Sequence, residues 1–107
     1  MPVAIYEVNI LVNDAALDEF LEFLTPHAEK MLTFKGFQSA EIMIPERDDS
    51  TPAGKSPVCA TYKIASREDL QHYFDNEAAE MRQETMSQFE GRITATRRIH
   101  SVLRILP

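Results

Sequence analysis

Residues 3–12 read VAIYEVNILV. Val, Ile and Tyr dominate, and no 3.6-residue spacing of apolar positions is present, so the stretch reads as a β-strand. Alternation gives it two different faces. Tyr6, Val8, Ile10 and Val12 make an apolar one, and Ile5, Glu7, Asn9 and Leu11 make a mixed one. A strand with one apolar face needs a layer packed on that face only.

The next segments supply that layer. Asn13 or Asp14 is placed to cap a helix, because a short polar side chain can accept from the orphan N–H groups of the first turn. Leu17, Phe20, Leu21, Leu24, Ala28, Met31 and Leu32 then follow helical spacing. Pro26 interrupts that stripe, so a kink or restart is expected there, with Thr25 as a second cap. Gly36 reads as the C-terminal cap. Residues 37–44, FQSAEIMI, read as a second strand, and 58–65, VCATYKIA, as a third. Between them, 45–57 hold three prolines and one glycine among mostly polar residues, which reads as a long loop. Ser66 opens SRED, a capping signature with Asp69 in the place of the more usual Glu or Gln. The helix that follows carries Leu70, Tyr73, Phe74, Met81, Met86 and Phe89 on its apolar side and stops at Gly91. Residues 92–106, RITATRRIHSVLRIL, read as a long last strand.

The order is β-α-β-β-α-β, the ferredoxin-like α+β arrangement of a four-stranded antiparallel sheet, with residues 1–107 as one domain. Both helices then cover one face of the sheet and leave the other bare. If Tyr6, Val8, Ile42 and Ile64 face the helices, the bare face carries Glu7, Asn9, Glu41, Thr61, Lys63, Thr94, Thr96, Arg98 and His100, together with Ile5, Leu11 and Met43. A half-apolar open sheet calls for a cover, and a second copy of the chain is the simplest one, so a homodimer is expected.

This order of elements resembles the dimeric α+β barrel superfamily, in which two ferredoxin-like chains bring their sheets together. Within it the chain is similar to an uncharacterised bacterial family, a domain of unknown function. The matching stretches are IYEVNILV at 5–12, HAEKML at 27–32 followed by GF at 36–37, YFDNEAAEMR at 73–82 and FEGRITATRRI at 89–99. The resemblance covers the chain apart from 45–57 and implies no established activity. Other members of the superfamily include cofactor-free antibiotic-biosynthesis monooxygenases, stress-responsive proteins and haem-binding proteins.

Composition narrows the remaining classes. The chain has 17 acidic residues and 11 Lys+Arg, for a net charge of −6. That balance argues against nucleic acid, whose binders carry a basic footprint. The RNA-recognition domain shares the topology, but the third strand here offers one tyrosine, predicted to face the helices, where such a domain presents exposed aromatics. No stretch of about eighteen apolar residues and no signal peptide is present, so no membrane partner is expected. Cys59 is the only cysteine, which excludes an internal disulfide and suits a reducing cytoplasm. His27, His72 and His100 lie on separate elements without ligand spacing, so no metal site is expected, and no cofactor motif occurs.

Charge is uneven along the chain. Residues 1–50 hold ten acids and three bases, whereas four arginines and no acid follow from Arg92 onward. Contact between the two ends is expected, within one chain or across a dimer. Arg97 and Arg98 are adjacent in a strand and point to opposite faces, with Arg98 on the bare one. Glu7 and Glu41 are its natural partners. The candidate ligand-binding residues are Glu7, His27, Arg98 and His100. Arg98 and His100 suit an anionic or carbonyl-bearing ligand, and His27 suits a base lining a cleft at the helix–sheet edge. The main reading is an uncharacterised homodimeric protein that binds a small molecule between sheet and helices. The alternative is a cofactor-free monooxygenase acting on an aromatic or polyketide-like substrate, and the spacing does not choose between binding and catalysis.

Overall fold

The expected first strand is β1, Ala4–Asn13, and it is an inner strand: the sheet order is β2-β3-β1-β4, with every neighbouring pair antiparallel. The computed structural model describes residues 2–107. A 3₁₀ turn at Asp14–Ala16 leads into α1, Leu17–Met31. Then come β2, Phe37–Met43; β3, Lys55–Ile64; α2, Arg67–Asn76; α3, Ala78–Phe89; and β4, Ile93–Ser101. The result is the ferredoxin-like α+β fold, with all helices on one face of the sheet.

Alternation places the core as expected. Tyr6, Ile10, Val12, Val58, Ala60, Tyr62 and Ile64 are buried toward the helices. Two clusters meet at Val8. One joins Tyr6, Tyr62, Tyr73 and Phe37 at one end of β1, and the other joins Val12, Phe20, Leu24 and Phe89 at the other end. The rings pack at angles and largely avoid flat stacking: Phe20 and Phe89 lie 5.2 Å apart at 85°. Ser66 caps α2 as expected, its hydroxyl accepting from the Asp69 N–H at 3.1 Å.

Several expectations are corrected. Asn13 and Asp14 do not cap α1; the Asn13 carboxamide accepts from the Lys55 ammonium, and the Asp14 carboxylate accepts from Ser56 Oγ at 2.7 Å, so both tie the helix start to β3. The helix runs through Pro26 without a restart. Pro26 and Glu22 are both exposed, so the Glu22 carbonyl that loses its i+4 partner is open to water. Gly36 is not the helix cap, since α1 ends five residues earlier. It takes φ +80° beside Asp69, where any Cβ would lie 2.4 Å from a carboxylate oxygen. The expected loop gives up Lys55–Pro57 to β3, because Leu11–Asn13 of β1 are there to pair with them. Pro57 lies beyond the last β2 pair, Met43 with Cys59, where a missing N–H is tolerated.

The second helix is two helices. Asn76 Nδ2 donates to the His72 carbonyl at 2.8 Å, and Glu77 leaves helical geometry at φ −122°. The last strand stops at Ser101, well short of residue 106, because Ala4 is its partner and β1 has nothing further to offer. One more bond, Val102 N–H to the Val3 carbonyl, closes the ladder. Among the described residues no helix is long and apolar enough to cross a membrane.

Candidate functional site

Between the sheet and the helices lies a cavity of about 360 Å³. Tyr6, Val8, Ala60 and Tyr62 form its floor, while Phe20, Phe23 and Met81 contribute from the helices. Its size lies at the lower end of small-molecule pockets, and its walls are mainly apolar and aromatic. His27, Arg82, Thr85, Thr94 and Arg97 supply its few polar groups apart from the phenols.

His27 reaches the cavity because α1 places it one turn after Phe23, whose ring lies 5.1 Å from its own. Its Nδ1 is buried without a hydrogen-bond partner. Burial holds its pKa below the ordinary value; Glu84 opposes that shift and Lys30 adds to it. The imidazole is therefore neutral at pH 7 with one ring nitrogen unused, a costly arrangement unless something else bonds it. The phenols of Tyr62 and Tyr73 are also neutral. Burial, helped by Tyr6, pushes Tyr62 up to about 12, and burial raises Tyr73 as well. Arg82 donates to the Tyr6 hydroxyl at 3.4 Å.

The opposite face carries a second constellation. Glu7 pairs in register with Arg98, and His100 lies two residues further along β4. The Glu7 carboxylate accepts from Asn9 Nδ2 at 2.6 Å and from Arg98 Nε at 3.1 Å, and its other oxygen lies 3.3 Å from His100 Nε2. The Asn9 amide, and then Arg98, hold its pKa below the usual carboxylate range; burial opposes them. Cys59 shares this face. Burial and then the Glu7 charge raise its thiol, against the pull of Arg98. Glu41, the other carboxylate considered for Arg98, is opposite Thr61 and makes no ion pair among the described residues. The contact expected between acidic and basic ends is made within the chain, by Arg98 with Glu7 and by Arg92 with Glu19 at 2.8 Å.

The sheet thus divides the candidate residues. Glu7, Arg98 and His100 meet on the bare face, and His27 lies alone on the other side, in the cavity. The sequence reading puts Arg97 on the helix side, where it is, but assigns it no part in a site. It misses Arg82 altogether. The signal was available in part: Ala78, Met81, Arg82, Thr85 and Phe89 form one stripe of a helix that begins at 78. That stripe is masked when the helix is read as starting at Ser66, because the break at Glu77 shifts its phase.

A family model described as a domain of unknown function (DUF4286) matches residues 3–103. Among curated proteins none matches the chain. Solved structures match over nearly its whole length at low identity. A dimeric ferredoxin-like protein from an uncultured marine organism is 13% identical, with 99% of this chain and 100% of that one covered and a TM-score of 0.74. A variant of SnoaB, a cofactor-independent oxygenase from Streptomyces nogalater, is 14% identical, with 97% of each chain covered and a TM-score of 0.69. The haem-degrader MhuD from Mycobacterium tuberculosis, with two haems in its active site, is 14% identical, with 96% and 99% covered and a TM-score of 0.62. These likenesses carry the fold and leave the chemistry open.

Proposed function

The chain belongs to the family described as a domain of unknown function (DUF4286), and from that premise we propose a cytoplasmic homodimer of ferredoxin-like subunits that binds one small, largely aromatic molecule in the cavity under each subunit's helices. The observation that carries the binding reading is the cavity: about 360 Å³, aromatic, with the unused Nδ1 of His27 beside it. A ligand atom that bonds this nitrogen would remove the cost of leaving it unpaired.

Surface area supports the dimer. The chain exposes 6827 Å², whereas a folded monomer of 12.2 kDa exposes roughly 6,100 Å². The excess of about 700 Å² is close to the ~800 Å² that one partner buries in a standard interface. In this reading Glu7, Arg98 and His100, with Ile5, Leu11 and Met43 around them, lie between two apposed sheets and set the pairing of the copies. The single unpaired thiol fits the reducing compartment.

Sedimentation at micromolar concentration is expected to give twice the 12.2 kDa chain mass; a monomer would remove the dimer. A thermal-shift screen with aromatic metabolites is expected to find stabilising ligands whose effect Ala95→Phe, which fills the cavity wall, abolishes. Failure of every compound on the wild-type protein would remove the binding reading. One feature favours a second reading, a cofactor-free monooxygenase: neutral His27 could take a proton from a bound phenol or enol and so prepare it for attack on dioxygen. Oxygen uptake with a ligand found in the screen, abolished by His27→Gln, distinguishes catalysis from binding.

A further inference from the structure

The ligand's charge is written in the walls of the cavity. The chain carries 17 acidic residues, yet no aspartate or glutamate lines the cavity, while Arg82 and Arg97 both do. They arrive from different elements, α3 and the edge strand β4. Neither makes an ion pair among the described residues, although Arg92 and Arg98 both do.

Both arginines stand beside the same group of phenols. Arg82 donates to the hydroxyl of Tyr6. Tyr6 pairs with Ile99 and Val8 pairs with Arg97, so Tyr6 and Arg97 are diagonal neighbours on one face, about 7–8 Å apart at the backbone. Both arginines also act on the same phenol, each lowering the pKa of Tyr73 against the larger effect of burial. Both are exposed while lining the cavity, so they stand at its mouth and leave the aromatic interior apolar. In a chain of net charge −6, two unpaired cations lining one cavity without a carboxylate leave a position for an anion that the protein itself does not fill.

We propose that the cavity takes an aromatic carboxylate or a similarly compact aromatic anion, its ring among Phe23, Tyr62 and Tyr73 and its acid group between Arg82 and Arg97. This rests on the cavity-binding reading above and adds the ligand's class to it. The anion remains at the mouth, where it keeps part of its hydration, and the ring enters the apolar interior. Recognition then divides between ring burial, which any aromatic of the right size provides, and charge-assisted hydrogen bonds, which only the anion provides.

A matched pair of probes separates the two parts. 2-Naphthoate and 2-naphthamide share one ring system and differ in the charge of the substituent. The chain contains no tryptophan, so naphthyl fluorescence reads binding without that background. The wild-type protein is expected to bind naphthoate about tenfold tighter than naphthamide, the factor charge-assisted bonds ordinarily add. The double variant Arg82→Gln/Arg97→Gln, changed at exposed positions, should lose naphthoate affinity far more than naphthamide affinity and bring the ratio to about one. Arg104→Gln, on the segment after β4, should leave the ratio unchanged. If the wild-type protein binds both probes equally, the anion assignment is wrong and the cavity reading stands. If the preference survives in the double variant, the arginines are not its source. If neither probe binds, the cavity reading falls and this assignment falls with it.

Discussion

The two faces of the sheet are built from the same four strands and behave as different materials. The helix side is buried and rich in rings: Phe89 is 0% exposed and touches Phe20 and Phe23. Its polar groups, His27 above all, are few and poorly partnered. The bare side has almost no buried residue beyond Cys59, and its central carboxylate is well partnered, with Glu7 bonded to Asn9, Arg98 and His100 at once. A face that must pack within the chain spends its residues on shape and leaves polar groups short of partners. On the bare face the charges around Glu7 are already paired, so a cover placed there would not strand them, whereas Glu41 and Lys63 make no ion pair among the described residues.

The largest effect expected from breaking this contrast is on the helix side. Phe89→Ala removes a ring from the centre of one core cluster and should cost roughly 3–5 kcal/mol in chemical denaturation. On the bare side, Glu7→Lys sets a third cation beside Arg98 and Lys63. It should turn the proposed dimer to monomer in sedimentation while the circular dichroism of the fold is retained; a dimer that survives would show the sheets do not meet through this face.

Smaller effects separate the faces by pH. His27 has a folded pKa below its ordinary 6.5. Its contribution is therefore fully present above 6.5 and is lost as pH falls through the lower folded value, since the unfolded chain takes up the proton first. Glu7 has a folded pKa below its ordinary 4.5, so its contribution is complete above 4.5 and is lost only as pH falls further. Melting temperatures across this range should show His27→Gln flattening the decline below 6.5 and Glu7→Gln flattening only the part below 4.5. The smallest expected effect is chemical. Cys59 should alkylate about tenfold more slowly than an exposed thiol at pH 8, being buried and held protonated, and Glu7→Gln should speed the reaction severalfold.

Much of this contrast is legible from residue order. Period-two alternation puts Tyr6, Val58 and Tyr62 inward and Glu7, Thr96 and Arg98 outward, and the structure agrees at each. Ser66 marks a helix start by local chemistry, because its hydroxyl serves an N–H only three residues away. Elements whose limits depend on neighbours are less legible. β4 ends where β1 has no residue left to pair, and the 92–106 stretch alone cannot show that. Pro26 breaks isolated helices, yet α1 carries it on the solvent side with its packed stripe intact.

The sequence alone determined which side of the sheet each strand residue faces, because successive side chains of a strand point oppositely wherever the strand is put. It therefore placed Glu7, Arg98 and His100 together and sent Arg97 the other way. Only the tertiary structure decided what stands across the cavity from that strand. Arg82 meets Tyr6 across 76 residues of chain, and that meeting depends on where α3 starts after Glu77 and how it lies on the sheet. Alternation is a property of the local backbone, whereas the distance between a helix and a sheet is set by how all the side chains between them pack.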